Sequence, residues 1–146
     1  MMQEFAIVTK SADETQNFGK EFAKKLKNGD VIALYGELGS GKTQLVKGIC
    51  KGLGVEQTVN SPTFIIVNEY SSPKFSDIYH FDLYRMKTQV EILNMGFEDY
   101  LNNRRIILIE WPEHVEDILP RDTIKIHIAH TVENENYRWI RLEIVE

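Results

Sequence analysis

The sequence predicts an α/β protein with a mainly parallel central sheet flanked by helices and with antiparallel strands at the C-terminal end. Two observations predict this class. Apolar runs typical of buried strands alternate with segments of helical periodicity, and two segments with alternating apolar residues close the chain. A chain of 146 residues can bury one core, so we expect a single domain over residues 1–146.

The first half of the chain is predicted as strand, helix, strand, loop and helix. Residues 5–8 form a short strand, and a capping box that begins at Ser11 opens a helix to about Leu26. Residues 31–35 form an apolar run that is typical of a buried strand. A loop follows, and the next helix ends near Gly52 because glycine is favoured at the C-terminal ends of helices.

The second half is predicted to continue this alternation and to finish in strands. The expected elements, in order, are a strand at 65–70, a turn at 71–73, a strand at 77–83, a helical segment at 88–102 broken at Gly96, a strand at 105–110, a short helix at 112–119, and strands at 124–128 and 140–144. The two strands around the turn are expected to form a hairpin. The run at 105–110 ends in Glu110 and is typical of a central parallel strand.

The loop between the second strand and the second helix has the strongest functional pattern. Residues 36–43, Gly-Glu-Leu-Gly-Ser-Gly-Lys-Thr, match the phosphate-binding pattern G-x-x-x-x-G-K-[ST]. Its glycines let successive N–H groups face one anion, and the helix N-terminus that follows also favours phosphate. Lys42 is expected to reach the β- and γ-phosphates, Thr43 to ligate Mg²⁺, and the Gln44 amide to bind the α-phosphate. The pattern therefore predicts a P-loop NTPase.

The expected nucleotide-binding residues of this loop are Gly36, Glu37, Leu38, Gly39, Ser40, Gly41, Lys42, Thr43 and Gln44. Further candidates lie downstream, and each has a second interpretation. Glu110 ends an apolar strand in a Walker-B arrangement that places a carboxylate near Mg²⁺, or it is a solvated acid. Asp82 positions water or joins the metal shell through water, or it pairs with Arg85. The sequence does not divide these roles between the two acids.

Two more residues near the expected site are also open to two interpretations. Thr63 folds over the γ-phosphate as a switch-loop threonine does, or it belongs to a simple Ser-Pro-Thr turn. Trp111 directly follows the Walker-B acid, and it is either a core anchor or a ring packed close to the nucleotide.

Composition argues against several classes of protein. The formal net charge is −5 and the basic residues are scattered, so a primary nucleic-acid binder is not expected, and tRNA would be contacted only through a partner. No apolar stretch is long enough for a membrane helix and no signal pattern opens the chain, so a cytoplasmic protein without membrane contact is expected. The single cysteine, Cys50, is expected to be a buried structural thiol. The four histidines show no zinc-binding spacing.

Several segments of the chain occur in an order that is specific to one family. They are the loop at 36–43, Asn60-Ser-Pro-Thr-Phe64, His80-Phe-Asp-Leu-Tyr-Arg85, Met95-Gly96 with Asp99-Tyr100, and Glu110-Trp-Pro112. Together they resemble the bacterial tRNA threonylcarbamoyladenosine biosynthesis ATPase family (TsaE type). The resemblance covers the chain from the first helix to at least Leu119.

This resemblance implies a small ATPase that uses ATP and Mg²⁺ and supports modification of the adenosine beside the tRNA anticodon. Such proteins work with two paralogous partners, the transferase subunit and its paralogue, and act as an ATPase switch on their complex. By analogy, Lys42, Thr43 and Glu110 hold nucleotide and metal, with Thr43 and Glu110 as the metal ligands. Asp82 serves hydrolysis, Thr63 lies in the switch-like loop, and Trp111 sits beside the nucleotide. Hydrolysis is expected to be slow alone and faster with the partners.

Three other functions remain open from the sequence. A small-metabolite kinase also uses a phosphate loop, but it commonly needs a mobile lid with several arginines, of which residues 86–104 show little. A regulatory GTPase is disfavoured because the Asn-Lys-x-Asp guanine motif is missing. A nucleotide-gated binding protein without useful turnover is weakened by the intact loop and by Glu110.

Overall fold

The computed structural model describes residues 2–62 and 66–145. Within them the predicted α/β class is confirmed as one mixed sheet with helices on both faces. The strands are β1 (Met2–Thr9), β2 (Val31–Tyr35), β3 (Val67–Ser71), β4 (Asp77–Asp82), β5 (Ile106–Glu110), β6 (Ile124–His130) and β7 (Arg138–Val145). The helices are α1 (Ala12–Phe22), α2 (Lys42–Gly52), α3 (Gln89–Asn94) and α4 (Phe97–Asn102), with 3₁₀ segments at Ala23–Lys25 and Glu113–Ile118.

The strand order is β1-β7-β6-β2-β5-β4-β3. The central strands β6, β2, β5 and β4 run parallel, as predicted for the middle of the sheet. The hairpin of β3 and β4, the β6–β7 pair and the β1–β7 pair are antiparallel. Among the described residues the pairings are therefore half antiparallel, and the expectation of a mainly parallel sheet needs correction to a mixed one. The main reason for the difference is the antiparallel pairing of the first strand, β1, with the last strand, β7.

Local signals placed the elements well, and differences occur at their ends. Ser11 is the N-cap of α1 and its side chain accepts the Glu14 N–H at 3.1 Å, as the capping box predicts. The α-helix ends at Phe22, and the 3₁₀ segment continues it to Lys25. The helical break falls at Gly96, whose φ of 87° is left-handed. The start of the strand predicted from residue 65 falls in part outside the described residues.

Alternate residues of the central strands pack against two helical layers. On one face, Ile32 and Leu34 of β2 lie in a cluster with Leu45 and Ile49 of α2. The predicted buried thiol, Cys50, belongs to this layer, and burial raises its pKa to about 12. On the other face, neighbouring residues of β2 and β5 pack with residues of α3, α4 and the second 3₁₀ segment. No helix in the described ranges has the length and apolar character needed to cross a bilayer.

The sheet register determines which side chains meet at its carboxyl edge. Glu110 of β5 pairs with Leu34 of β2 on one side and with Asp82 of β4 on the other. The loop that follows β2 leads into α2. Ligands of open α/β sheets bind outside the carboxyl ends of the parallel strands. Both acids and the glycine-rich loop therefore lie at the edge where a ligand is expected.

Candidate functional site

The glycine-rich loop connects the end of β2 to the start of α2. At Gly41, the residue before the helix, φ is 105°, a left-handed angle that glycine adopts without strain. At Gly36 a side chain is excluded, because a Cβ would lie 2.5 Å from the Ile128 carbonyl oxygen of β6. The first N–H groups of a helix have no intrahelical acceptor, so this end of α2 offers donors and a favourable dipole to an anion.

Lys42 lies under the ring of Trp111 at the bottom of the loop. Its Nζ is 4.0 Å from the ring centroid and donates to the carbonyl oxygens of Gly36 and Glu37, the latter at 3.0 Å. The side chain is almost completely buried. Burial lowers the pKa of Lys42, while the carboxylates of Glu110 and other acids act in the opposite direction. A buried cation that donates to neutral carbonyl oxygens is well prepared to exchange them for the charged oxygens of a phosphate group.

Three side-chain oxygens meet beside the lysine. The hydroxyl of Ser61 is 2.6 Å from Oγ1 of Thr43 and donates to Oε2 of Glu110 at 3.3 Å. The Ser61 hydroxyl therefore contacts both side chains that the sequence assigns to the metal, Thr43 and Glu110. A small ion near this hydroxyl would reach both of them. Mg²⁺ prefers such oxygen ligands and usually takes few from the protein, with phosphate and water completing the shell. The residues fit a nucleotide-bound Mg²⁺.

Glu110 is nearly fully buried and has a second partner. Oε2 of its carboxylate is 2.6 Å from Nε2 of His80, which lies on the neighbouring strand β4 and is fully buried. The other ring nitrogen of His80 is 3.2 Å from the Tyr70 hydroxyl, and that hydroxyl is 3.1 Å from the Asn60 carbonyl oxygen. The alternative of a solvated acid at the end of β5 is therefore wrong, because this carboxylate is held inside a hydrogen-bonded network.

Asp82 ends β4 next to Glu110. Its Oδ1 accepts the backbone N–H of Tyr84 at 3.0 Å. Burial raises the pKa of Asp82, the hydrogen bond from Tyr84 opposes this rise, and the charge of Glu110 adds to it. A carboxylate with a raised pKa that borders the cleft is suited to accept a hydrogen bond or proton from water. The alternative ion pair with Arg85 stays a prediction.

The expected site residues come together in one cleft of about 340 Å³. It is lined by residues 38–44, Ser61, Asp82, Glu110, Trp111 and Arg138. Gly36 and Glu37, the first two residues of the loop, are not among the residues that line this cleft, and their carbonyl oxygens accept from Lys42. Trp111 borders the cleft and is partly exposed, and it also packs against the second core layer, so it fits both of its interpretations. Thr63 lies outside the described residues.

The profile of a family described as "Threonylcarbamoyl adenosine biosynthesis protein TsaE" matches residues 9–139. This chain belongs to the TsaE family. The resemblance noted from its motifs is therefore confirmed, and the family acts in the biosynthesis of tRNA threonylcarbamoyladenosine. The matched range includes the glycine-rich loop, both acids and Arg138.

Individual TsaE-family proteins agree with this assignment. The chain is 37% identical to the tRNA threonylcarbamoyladenosine biosynthesis protein TsaE of Bacillus subtilis over 134 residues, which cover 92% of this chain and 83% of that protein. It is 41% identical to the Haemophilus influenzae TsaE over 128 residues, covering 84% and 80% of the two chains. The crystal structure of B. subtilis YdiB superposes with a TM-score of 0.82 at 32% identity and covers all of this chain and 88% of that one.

Sequence reasoning missed Arg138 of this TsaE-family chain. Arg138 opens β7, and its Nε donates to the Ser40 carbonyl oxygen at 2.7 Å, while one terminal nitrogen is 3.4 Å from that of Gly39. The residue lies 98 positions beyond Ser40, and no local motif surrounds it. Only the pairing of β7 with β6, next to β2, brings the guanidinium to the loop. It adds a positive charge to the same cleft.

A second, smaller cleft continues from the first along the loop. Its volume is about 260 Å³, and it shares Gly41, Gln44 and Arg138 with the larger cleft. Its far wall consists of residues 10–12 and Thr15 at the start of α1, with Asn136 before β7. The two clefts adjoin at the N-terminus of α2, and the second adds space beyond the glycine-rich loop.

Proposed function

We propose that this chain is a Mg²⁺-dependent ATPase that acts as a nucleotide switch on a transferase complex making threonylcarbamoyladenosine in tRNA. The main support is the meeting of Lys42, Thr43 and Glu110 in one cleft at the carboxyl edge of the sheet. Family membership supports the pathway, and the glycine-rich loop supports the nucleotide. The partners would be the transferase subunit and its paralogue, and tRNA would be contacted only through them.

In this proposal the protein positions and stabilises the phosphate groups. The N–H groups of residues 39–44 bind the phosphates, and the ammonium of Lys42 exchanges its carbonyl contacts for phosphate oxygens. Thr43 and Glu110 would hold Mg²⁺, which would supply positive charge next to the phosphate oxygens where negative charge develops. Asp82 orients the attacking water. Trp111 covers the lysine and keeps bulk water away from it, which strengthens the electrostatic interactions there.

The base and ribose of ATP extend into the second cleft in this proposal. That cleft joins the first at Gly41 and Gln44, where the α-phosphate is expected. Ser11, Thr15 and Asn136 offer polar groups along its wall. The proposal thus uses both clefts with a single ligand.

The structure favours this proposal over a small-metabolite kinase. A kinase lid must move over an acceptor pocket. Residues 86–104, where a kinase of this kind would need its lid, contain α3 and α4. Ile92 and Phe97 from these helices are fully buried in the second core layer. A segment anchored in this way is poorly suited to large motion.

The proposal is tested by ATP hydrolysis measured with the purified chain alone and with both transferase proteins added. We expect slow turnover by the chain alone and clearly faster turnover in the mixture. In a switch protein of this kind, the partners complete or reshape the site that hydrolyses ATP. A parallel pull-down compares ATP with ADP and should recover the complex in a nucleotide-dependent way. Equal hydrolysis rates with and without partners, together with nucleotide-independent recovery, would refute the switch.

Arg138→Ala is expected to weaken ATP binding about tenfold or more. The guanidinium of Arg138 is expected to donate a hydrogen bond to a phosphate oxygen of ATP. A hydrogen bond to a charged group contributes about 1.5–3 kcal/mol, and about 1.4 kcal/mol corresponds to a factor of ten in affinity. The control is Arg141→Ala, which removes the same charge from the same strand but from a side chain paired with Glu143. Titration with a fluorescent ATP analogue compares the two variants. Equal affinities would show that Arg138 has no specific role at the loop.

A further inference from the structure

His80 is a fully buried polar side chain that does not line either cleft. Both of its ring nitrogens nevertheless have partners. Nε2 lies 2.6 Å from Oε2 of Glu110, and Nδ1 lies 3.2 Å from the hydroxyl of Tyr70. Burying a polar ring is costly unless it is hydrogen-bonded, so these two contacts explain why an imidazole ring can lie in the core. They also connect it to the carboxylate of the site.

The chemistry of the carboxylate determines the direction of the hydrogen bond between His80 and Glu110. A carboxylate only accepts hydrogen bonds, so Nε2 of His80 carries the hydrogen and donates to Glu110. Nδ1 of the ring lies 3.2 Å from the Tyr70 hydroxyl, and that hydroxyl donates to the Asn60 carbonyl oxygen at 3.1 Å. The Asn60 carbonyl oxygen also accepts a hydrogen bond from the side-chain amide N–H of Asn68 at 2.9 Å. Both ring nitrogens of His80 therefore lie within hydrogen-bonding distance of a polar partner, and the contact with Glu110 is donated by the ring.

The contacts close into a circuit around Glu110. From the carboxylate they lead through His80 and Tyr70 to the backbone of Asn60. The next residue, Ser61, returns to the same carboxylate oxygen and also touches Thr43. The circuit links the strands β3, β4 and β5 to the two side chains that the proposed function assigns to the cation. Partners of this kind orient metal ligands, and their loss typically weakens metal binding 10–100-fold.

We propose that His80 is a positioning residue that donates to Glu110 and holds its carboxylate in the orientation that binds a divalent cation together with Thr43. This inference rests on the proposed function, because it needs a nucleotide-bound cation at that site. Tyr70 orients the ring through Nδ1. The role differs from that of a structural core histidine, which would affect folding but would not affect metal binding selectively.

The test compares His80→Gln with His80→Asn. The side-chain amide of Gln can place an N–H near the position of Nε2, whereas the shorter Asn reaches only the position of Nδ1. Mn²⁺ binding is measured by electron paramagnetic resonance in the presence of ADP, and ADP binding is measured separately in EDTA. We expect Asn to weaken Mn²⁺ binding roughly 10–100-fold and Gln to retain most of it. ADP affinity in EDTA should be unchanged in both variants.

The outcomes separate this inference from the function on which it rests. If the unaltered protein binds no adenine nucleotide, the proposed function fails. If it binds ADP with Mn²⁺ and the Asn variant binds Mn²⁺ equally well, or if Gln and Asn lose affinity equally, His80 does not position Glu110. Where thermal melting shows that His80→Asn is unfolded, Tyr70→Phe replaces it, since this variant keeps the ring and removes only the hydroxyl. It should weaken Mn²⁺ binding in the same direction, and unchanged Mn²⁺ affinity would overturn the proposal.

Discussion

Lys42→Ala is expected to weaken ATP binding at least about 100-fold. The ammonium lies at the bottom of the loop and is already desolvated, so its hydrogen bonds to phosphate are strong. Two charge-assisted bonds of about 1.5–3 kcal/mol each correspond to at least two powers of ten in affinity. Calorimetric or fluorescence titration with ATP measures the effect. The control is Lys51→Ala, which removes the same charge from an exposed position at the end of the same helix.

Thermal melting without nucleotide separates this effect from unfolding. Because burial lowers the pKa of Lys42, the folded protein disfavours its charged form relative to the unfolded chain. The charge therefore lowers the stability of the ligand-free protein at any pH below the folded pKa, and the cost disappears as pH rises above the ordinary lysine range. Lys42→Met is accordingly expected to melt no lower than the unaltered protein while failing to bind ATP. A variant that melts normally and retains full ATP affinity would refute the assignment of Lys42.

The glycine-rich loop and its flanking elements could be predicted because all their determinants are contiguous. Residues 31–35 are apolar, residues 36–41 contain the glycines, and the helix starts at Lys42. Strand, turn and helix signals of this kind depend on near neighbours in sequence. The position of Glu110 at the same edge followed from one more rule, that neighbouring parallel strands end at the same side of a sheet.

The pairing of β1 with β7 could not be predicted, because it joins the two ends of the chain. Phe5 pairs with Leu142, and nothing local to either strand specifies this register. The position of Arg138 depends on a different pairing, that of β7 with β6, because β6 lies next to β2 and its loop. Contacts between distant segments depend on how the whole core packs and on which polar groups find hydrogen-bond partners. Short sequence patterns carry no information on either.

The network behind Glu110 shows a second limit of sequence reasoning. Ser61 and His80 both lie in segments that indicated the family, yet neither was singled out. A buried histidine and a loop serine have no distinctive spacing, and their roles depend on the strands that place them near one carboxylate. Motifs predict the side chains that would contact the ligand, whereas the residues proposed to orient them emerge only from the three-dimensional arrangement.

Glu110→Gln is expected to reduce Mg²⁺-dependent ATP hydrolysis by roughly 100-fold or more, in line with the loss of one preorganised electrostatic contact in other active sites. The amide keeps the size of the side chain and an oxygen that can accept from His80, but it removes the negative charge. Without that charge Thr43 offers only a neutral oxygen to the cation. ADP binding in EDTA should be preserved, because the loop amides and Lys42 do not depend on the acid.

Glu113→Gln is the matched control, because it removes the same charge three residues later from an exposed side chain of the 3₁₀ segment. Hydrolysis is followed by phosphate release over a range of Mg²⁺ concentrations for both variants. If the charge of Glu110 acts by holding the cation, raising Mg²⁺ restores part of the lost rate in Glu110→Gln and leaves Glu113→Gln unaffected. If Glu110 instead activates water, Mg²⁺ affinity stays normal and no concentration of the ion restores the rate. Such a result would move the metal-binding role to Asp82, whose carboxylate ends the neighbouring strand.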